Sequence, residues 1–198
     1  MKQTLYMLFC LCWLGAADGR AQAPDITQER LTEFKDLTLR RVNDLQEYLT
    51  VIADKKRSLD ERRMAIGLAL DLFAQPDGRK ALMQVSRRDG TKRTLPVEQY
   101  LNNLMSTRYS DVKLTFYDAA VATDFEKGTD GNYHATATYF QDFQGFDTTG
   151  KMLYGDRTRK DIAVTAKAMG PYKDVGQLDI KVFFGDVKVS ETIPIPAN

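Results

Sequence analysis

Cysteine is nearly missing from this 198-residue chain, and what there is stands at one end. Cys10, Cys12 and the single tryptophan, Trp13, all fall within residues 1–23. That stretch has a positive start at Lys2, a short apolar run from Leu5 to Leu14, and the small-residue sequence Ala21-Gln22-Ala23. It reads as a secretory leader cleaved after Ala23, since an apolar run of roughly ten residues falls short of the about 20 that a bilayer span requires. Neither cysteine follows a small residue, which excludes a lipid-attachment site (Phe9 precedes Cys10, and Leu11 precedes Cys12). The expected mature chain, periplasmic or secreted, therefore has no disulfide, no thiol nucleophile and no thiolate metal site. No later apolar run is long enough to cross a membrane as a helix.

Histidine is as scarce. His134 is the only imidazole, which leaves no base for a Ser-His-Asp or Cys-His mechanism apart from that one ring, and too few nitrogen ligands for a catalytic zinc. No glycine-rich phosphate loop is present, and residues 124–132 do not match a calcium loop, so no metal and no cofactor is expected. Charge of one sign is lacking too. Loss of Lys2, Arg20 and Asp18 with the leader turns 28 basic and 27 acidic residues into 26 of each. A balanced chain has no general affinity for nucleic acid or for a membrane surface.

What is present is strongly patterned. In Tyr133-His134-Ala135-Thr136-Ala137-Thr138-Tyr139-Phe140, odd positions are apolar and even ones mostly polar. Side chains alternate between the faces of a strand, so this reads as an interior strand of an antiparallel sheet, with His134 on the polar face as an exposed structural residue. Upstream, Leu31, Phe34, Leu37, Val42, Leu45, Leu49 and Ile52 recur at helical spacing. They predict one long amphipathic helix over 26–54, capped by Asp25 with Gln28. Ser58 to Glu61 forms a capping box for a second helix through Met64–Phe73, which has apolar residues on most faces and is expected to be the more buried of the two. Gln75-Pro76-Asp77-Gly78 stops it. Asp89-Gly90 between Ala81–Val85 and Thr91–Leu95 predicts a hairpin, and Pro96 opens a short helix. Strands follow at Val112–Phe116, at the run above, at Ile162–Ala168, and at Leu178–Val189, where Gly185-Asp186 resets the alternation as a bulge. A hairpin loop is expected at Asp147–Gly150, bracketed by Phe140, Phe143, Phe146 and Tyr154.

The chain thus divides into a leader (1–23), a long helix (24–57) and an α+β domain (58–198) with helices packed on a curved antiparallel sheet. The order of helix Met64–Phe73, turn Pro76-Asp77-Gly78, hairpin at Asp89-Gly90, helix Pro96–Met105 and meander 111–193 resembles the nuclear transport factor 2-like superfamily, with its cystatin-like α+β cone. The resemblance implies a cone that holds a ligand or, in enzymes of the group, a carboxylate working with Tyr or His. Candidates for that pocket are Tyr117, Asp118, Tyr133, Tyr139, Asp142, Tyr154 and Asp156. Members include isomerases and dehydratases as well as non-catalytic binders, so fold alone assigns no chemistry.

Two functions follow as expectations. The first is an exported, non-catalytic binding or scaffold protein of the bacterial cell envelope. The alternative is a small-molecule isomerase or dehydratase using a carboxylate and a tyrosine in the cone. Residues 55–93 carry eleven basic against five acidic side chains, and Arg62, Arg63, Arg87, Arg88, Lys92 and Arg93 make up a candidate patch for an acidic envelope protein or lipid phosphates. A solvated face is the plainer meaning of such a run. Assembly with a second copy through the long helix is left open.

Overall fold

The computed structural model describes residues 27–73, 80–171 and 178–196. The leader, Asp25 and the turn at 75–78 lie outside them. Three helices pack on one side of an open, curved sheet: α1 (Gln28–Ala53), α2 (Leu59–Leu72), β1 (Leu82–Ser86), β2 (Lys92–Pro96), α3 (Val97–Met105), β3 (Asp111–Val121), β4 (Glu126–Lys127), β5 (Tyr133–Phe146), β6 (Met152–Pro171) and β7 (Leu178–Pro194). Strand order is β2-β1-β7-β6-β5-β3, with the short β4 beside β5. The fold is α+β, as the patterning predicts.

Helix α1 begins at a Thr27 cap whose side chain accepts from the Arg30 amide at 3.4 Å. Its stripe of Phe34, Val42, Leu45, Leu49 and Ile52 is wholly buried and belongs to one continuous core with residues of the sheet. The expected rank of the two helices is reversed. The capping box of α2 forms, with Ser58 and Glu61 each bonding the other's backbone. Yet α2 buries only one face, Ala65, Ile66, Ala69 and Leu72, and leaves Leu59, Met64 and Leu68 exposed. The reason is position: α1 packs broadly on both α2 and β3, whereas α2 meets the sheet only slightly at β7.

The β1–β2 hairpin turns through Arg87 to Thr91 with Gly90 at φ 79°, a conformation that costs glycine little. In β7 the bulge falls where the alternation breaks. Phe184 pairs with Val164 and Val187 with Ile162, so Gly185 and Asp186 together oppose one residue of β6, and Phe184 and Val187 both stay in the core. The sheet is not wholly antiparallel. Hairpin β1–β2 joins β7 through a parallel seam with one ladder pair, Met83 with Val187. Side chains extend it: Asp186 Oδ1 accepts from the Leu82 amide at 2.9 Å, and Gln84 Oε1 accepts from the Val189 amide at 3.0 Å. Strand β6 begins ten residues before the expected Ile162, because it pairs with β5 back to the loop at Asp147–Gly150.

Candidate functional site

Residues with apolar alternation on β5 and β6 point to the face that the helices cover, and following the same parity toward the hairpin end leads into a cavity. On β6 the inward series Ile162, Val164 and Ala166 continues backward as Lys160, Thr158, Asp156 and Tyr154. On β5 the series Ala135, Ala137 and Tyr139 continues forward as Gln141 and Phe143. The register sets Lys160 beside Tyr139, Thr158 beside Gln141, and Asp156 beside Phe143. Successive inward residues of one strand are roughly 7 Å apart, so three polar levels line the floor. Helix α3 covers it with Tyr100, Asn103 and Leu104; Thr107 and Tyr109 follow, and Val85, Ser86, Arg93 and Leu95 of the hairpin close the remaining wall. The cavity is open to solvent and has a volume of about 260 Å³.

Gly145 helps to shape this space. A Cβ there would stand 2.5 Å from Tyr109 Cγ, so the missing side chain is what seats the Tyr109 ring over β5. That ring meets Phe143 edge-on at 5.7 Å, and Phe143 in turn lies 6.0 Å from Tyr154. The aromatic group near the loop therefore splits. Phe143 and Tyr154 line the cavity, while Phe140 stacks on Tyr117 across the opposite face of the sheet.

Charged groups are sunk into the cavity wall. Asp156 is 7% exposed and Lys160 only 3%. The Tyr154 hydroxyl donates to Asp156 Oδ2 at 2.6 Å. Burial nevertheless holds the Asp156 carboxyl above the usual range, outweighing that bond and the attraction of Lys160. Burial also pushes Lys160 down to about 8, and the phenols of Tyr100 and Tyr154 upward. The Lys160 ammonium sits 5.3 Å from the Tyr100 ring centre, a cation–π contact. Among the described residues no carboxylate lies within 4.0 Å of it. Gln141 is 4% exposed, and its Oε1 has no hydrogen-bond partner among them. Such a wall offers a cation, a carboxyl whose proton affinity is raised, tyrosine hydroxyls, and an acceptor in want of a donor.

Of the seven pocket candidates, Tyr154 and Asp156 line the cavity. Tyr139 is in the core beside Lys160, wholly buried, its hydroxyl without a partner among the described residues. Tyr133 packs on Phe34 at 5.6 Å, away from the cavity. Tyr117 and Asp142 are on the opposite face. There Tyr117 donates to Asp142 at 2.8 Å, and Arg157 grips the same carboxylate with two bonds of 2.8 Å. That guanidinium holds the Asp142 carboxyl below its ordinary range. Asp118 is exposed at the β3 irregularity with φ 52°. Sequence reasoning missed Lys160, Gln141, Thr158 and Tyr100. The apolar parity of Ile162 and Val164, extended four residues back, was the signal for the two on β6.

The basic candidates also separate. Arg62 is buried (8% exposed) and donates from Nε to the Ile52 carbonyl at 2.8 Å and from Nη2 to that of Met105; its guanidinium is internal and contributes no surface. Arg63 is exposed, 3.9 Å from Asp60. Arg88 donates to the Leu153 carbonyl and lies over the Tyr154 ring, while Lys92 donates to the Val189 carbonyl. These two pin the hairpin to β6 and β7. Arg93 lines the cavity, and Arg87 is exposed at the turn. His134 stands exposed on the outer face, with Asp130 Oδ1 3.0 Å from its Nε2.

Among the described residues there is no group of three or more His, Cys, Asp or Glu placed to hold a metal, and no helix is long and apolar enough to cross a membrane. Compared with protein families, curated proteins and solved structures, the chain matches none.

Proposed function

We propose that this chain is an exported envelope protein that binds a small organic molecule in the cone of its sheet. The observation that carries this reading is the burial of Asp156 and Lys160 in the wall of a cavity of about 260 Å³. Charges removed from water lower stability unless they are paired, and a simple core would fill the space with apolar side chains. A ligand gives them a use. The resemblance to the nuclear transport factor 2-like superfamily, whose cones include binding sites, supports the same reading. Saturation-transfer NMR of a small-molecule library against the wild-type chain and Asn103→Trp tests it. Asn103 is exposed on α3 at the cavity, so the indole blocks the space without entering the core. Compounds that bind the wild type and lose binding to the variant support the proposal. Equal binding to both puts the site elsewhere.

A second reading, catalysis of isomerisation or dehydration, is favoured by the Tyr154–Asp156 pair. A carboxyl with raised proton affinity beside a phenol is suited to moving a proton at neutral pH. Bound compounds recovered unchanged after long incubation with the wild type count for a binder. Conversion that Asp156→Asn abolishes while binding persists counts for an enzyme.

A further inference from the structure

We infer that the cavity selects small carboxylates that carry a hydrogen-bond donor at their far end, the acid group meeting Lys160 and the donor meeting Gln141 Oε1. This rests on the reading that the cavity binds a small molecule, and adds which class. Lys160 is a buried cation with its ammonium on a ring face and no carboxylate within 4.0 Å among the described residues. Buried charges in proteins are normally paired, so an incoming carboxylate supplies what the wall lacks. The Gln141 amide is hydrogen-bonded to the Tyr100 hydroxyl, while its Oε1 is a buried acceptor without a donor among the described residues, a penalty that a ligand hydroxyl or amine relieves.

The two requirements stand at adjacent levels of the floor, since Gln141 pairs with Thr158 and Tyr139 with Lys160. That sets their backbone positions roughly 7 Å apart along the strand direction. The rest of the lining includes apolar and aromatic side chains, Leu95, Leu104, Tyr109 and Phe143. Taking the share of one liquid water as about 30 Å³, the space holds a molecule of roughly ten non-hydrogen atoms. Asp156, one level beyond Gln141, disfavours a second acid group at that end and accepts from a donor there. The site therefore discriminates by charge at one end and by donor at the other.

Three probes of nearly equal shape separate these features: 4-hydroxyphenylacetate, its neutral amide, and 4-methylphenylacetate. Isothermal titration at pH 7 compares them on the wild type, Lys160→Met and Gln141→Met. The hydroxy acid is expected to bind the wild type at least tenfold more tightly than the amide, a preference that Lys160→Met erases. It is expected to bind severalfold more tightly than the methyl compound, a preference that Gln141→Met erases. A thermal melt of each variant establishes that it is folded before titration. If the amide binds as well as the acid, or the preference survives Lys160→Met, the anion role of Lys160 is overturned while the cavity remains a binding site. If none of the three binds but other compounds still lose binding to Asn103→Trp, the carboxylate class is wrong and the binding reading stands. Failure of both experiments overturns both.

Discussion

Replacing Arg62 by Met should destabilise the protein more than any other substitution of a charged residue on α2. The side chain reaches from α2 to two helix ends. It donates to the carbonyl of Ile52 in the last turn of α1 and to that of Met105, the final residue of α3. The last four carbonyls of a helix have no partner within it, and the negative end of the helix dipole favours a cation. One guanidinium thus answers two helix termini. A hydrogen bond to a charged group is worth about 1.5–3 kcal/mol net, and here two such bonds are lost together, leaving two carbonyls unsatisfied. Met keeps the apolar stem while removing both bonds, so a loss of about 3–5 kcal/mol is expected. Lys keeps the charge but has one nitrogen where Arg62 meets the two carbonyls from separate ones, Nε and Nη2, and should retain about half of the stabilisation. Urea unfolding reads this directly. With a slope of about 1–3 kcal/mol/M, the midpoint for Arg62→Met should fall by roughly 2 M at unchanged slope. A change below about 0.5 kcal/mol, or equal stability of the Lys and Met variants, would refute the claim that the fork ties the helices together.

Other outcomes are more local. Ser58→Ala removes the cap of α2 and should cost about 1 kcal/mol in the same assay. Lys160 has a folded pKa of about 8, below its unfolded value near 10.5, so between those pH values the unfolded chain binds more protons and stability rises with pH. The rise from this group is on the order of 3 kcal/mol; the difference between wild type and Lys160→Met in urea titrations from pH 7 to 11 should reveal it, and parallel profiles would exclude it. Gly145→Ala should push Tyr109 off β5 and alter the near-ultraviolet circular dichroism of the tyrosines, with little change in the far-ultraviolet signal.

Much of the fold was legible because local signals agreed. Asp89-Gly90 named its hairpin, Ser58 with Glu61 named the start of α2, and the shift of apolar parity at Gly185-Asp186 named a bulge that keeps Phe184 and Val187 in one core. The burial of the helices was misjudged because apolar composition says nothing of which helix another will cover. Met64 and Leu68 are apolar and exposed, since α1 makes most of the helix contact with the sheet and α2 meets it only at β7. The candidate site was half legible. Parity alone separates Asp142, on the face of His134, from Tyr154 and Asp156, on the face of Ile162. Residue type suggested all three equally. Lys160 was hidden for the opposite reason: a lysine on a strand is ordinarily solvated, and only the covering α3, distant in sequence, makes it internal. Arg62 shows the same limit, since its partners are carbonyls from two other helices and carbonyls leave no mark in a sequence.

The parallel seam between β1 and β7 has a consequence for how the molecule comes into being. Met83 and Val187 are about 100 residues apart, so the hairpin has no sheet edge to join until β7 has been made. Closing so long a loop draws on entropy that only later contacts repay, and pairings of this kind set the pace of folding. The hairpin also supplies one wall of the cavity. A chain emerging from synthesis can assemble α1, α2 and the β3–β5–β6 sheet well before that wall arrives. Until β7 is in place, the cavity lacks the wall that the hairpin supplies. The cavity is therefore complete only with that long-range pairing, so a chain that lacks β7 carries the residues of the site without its full enclosure.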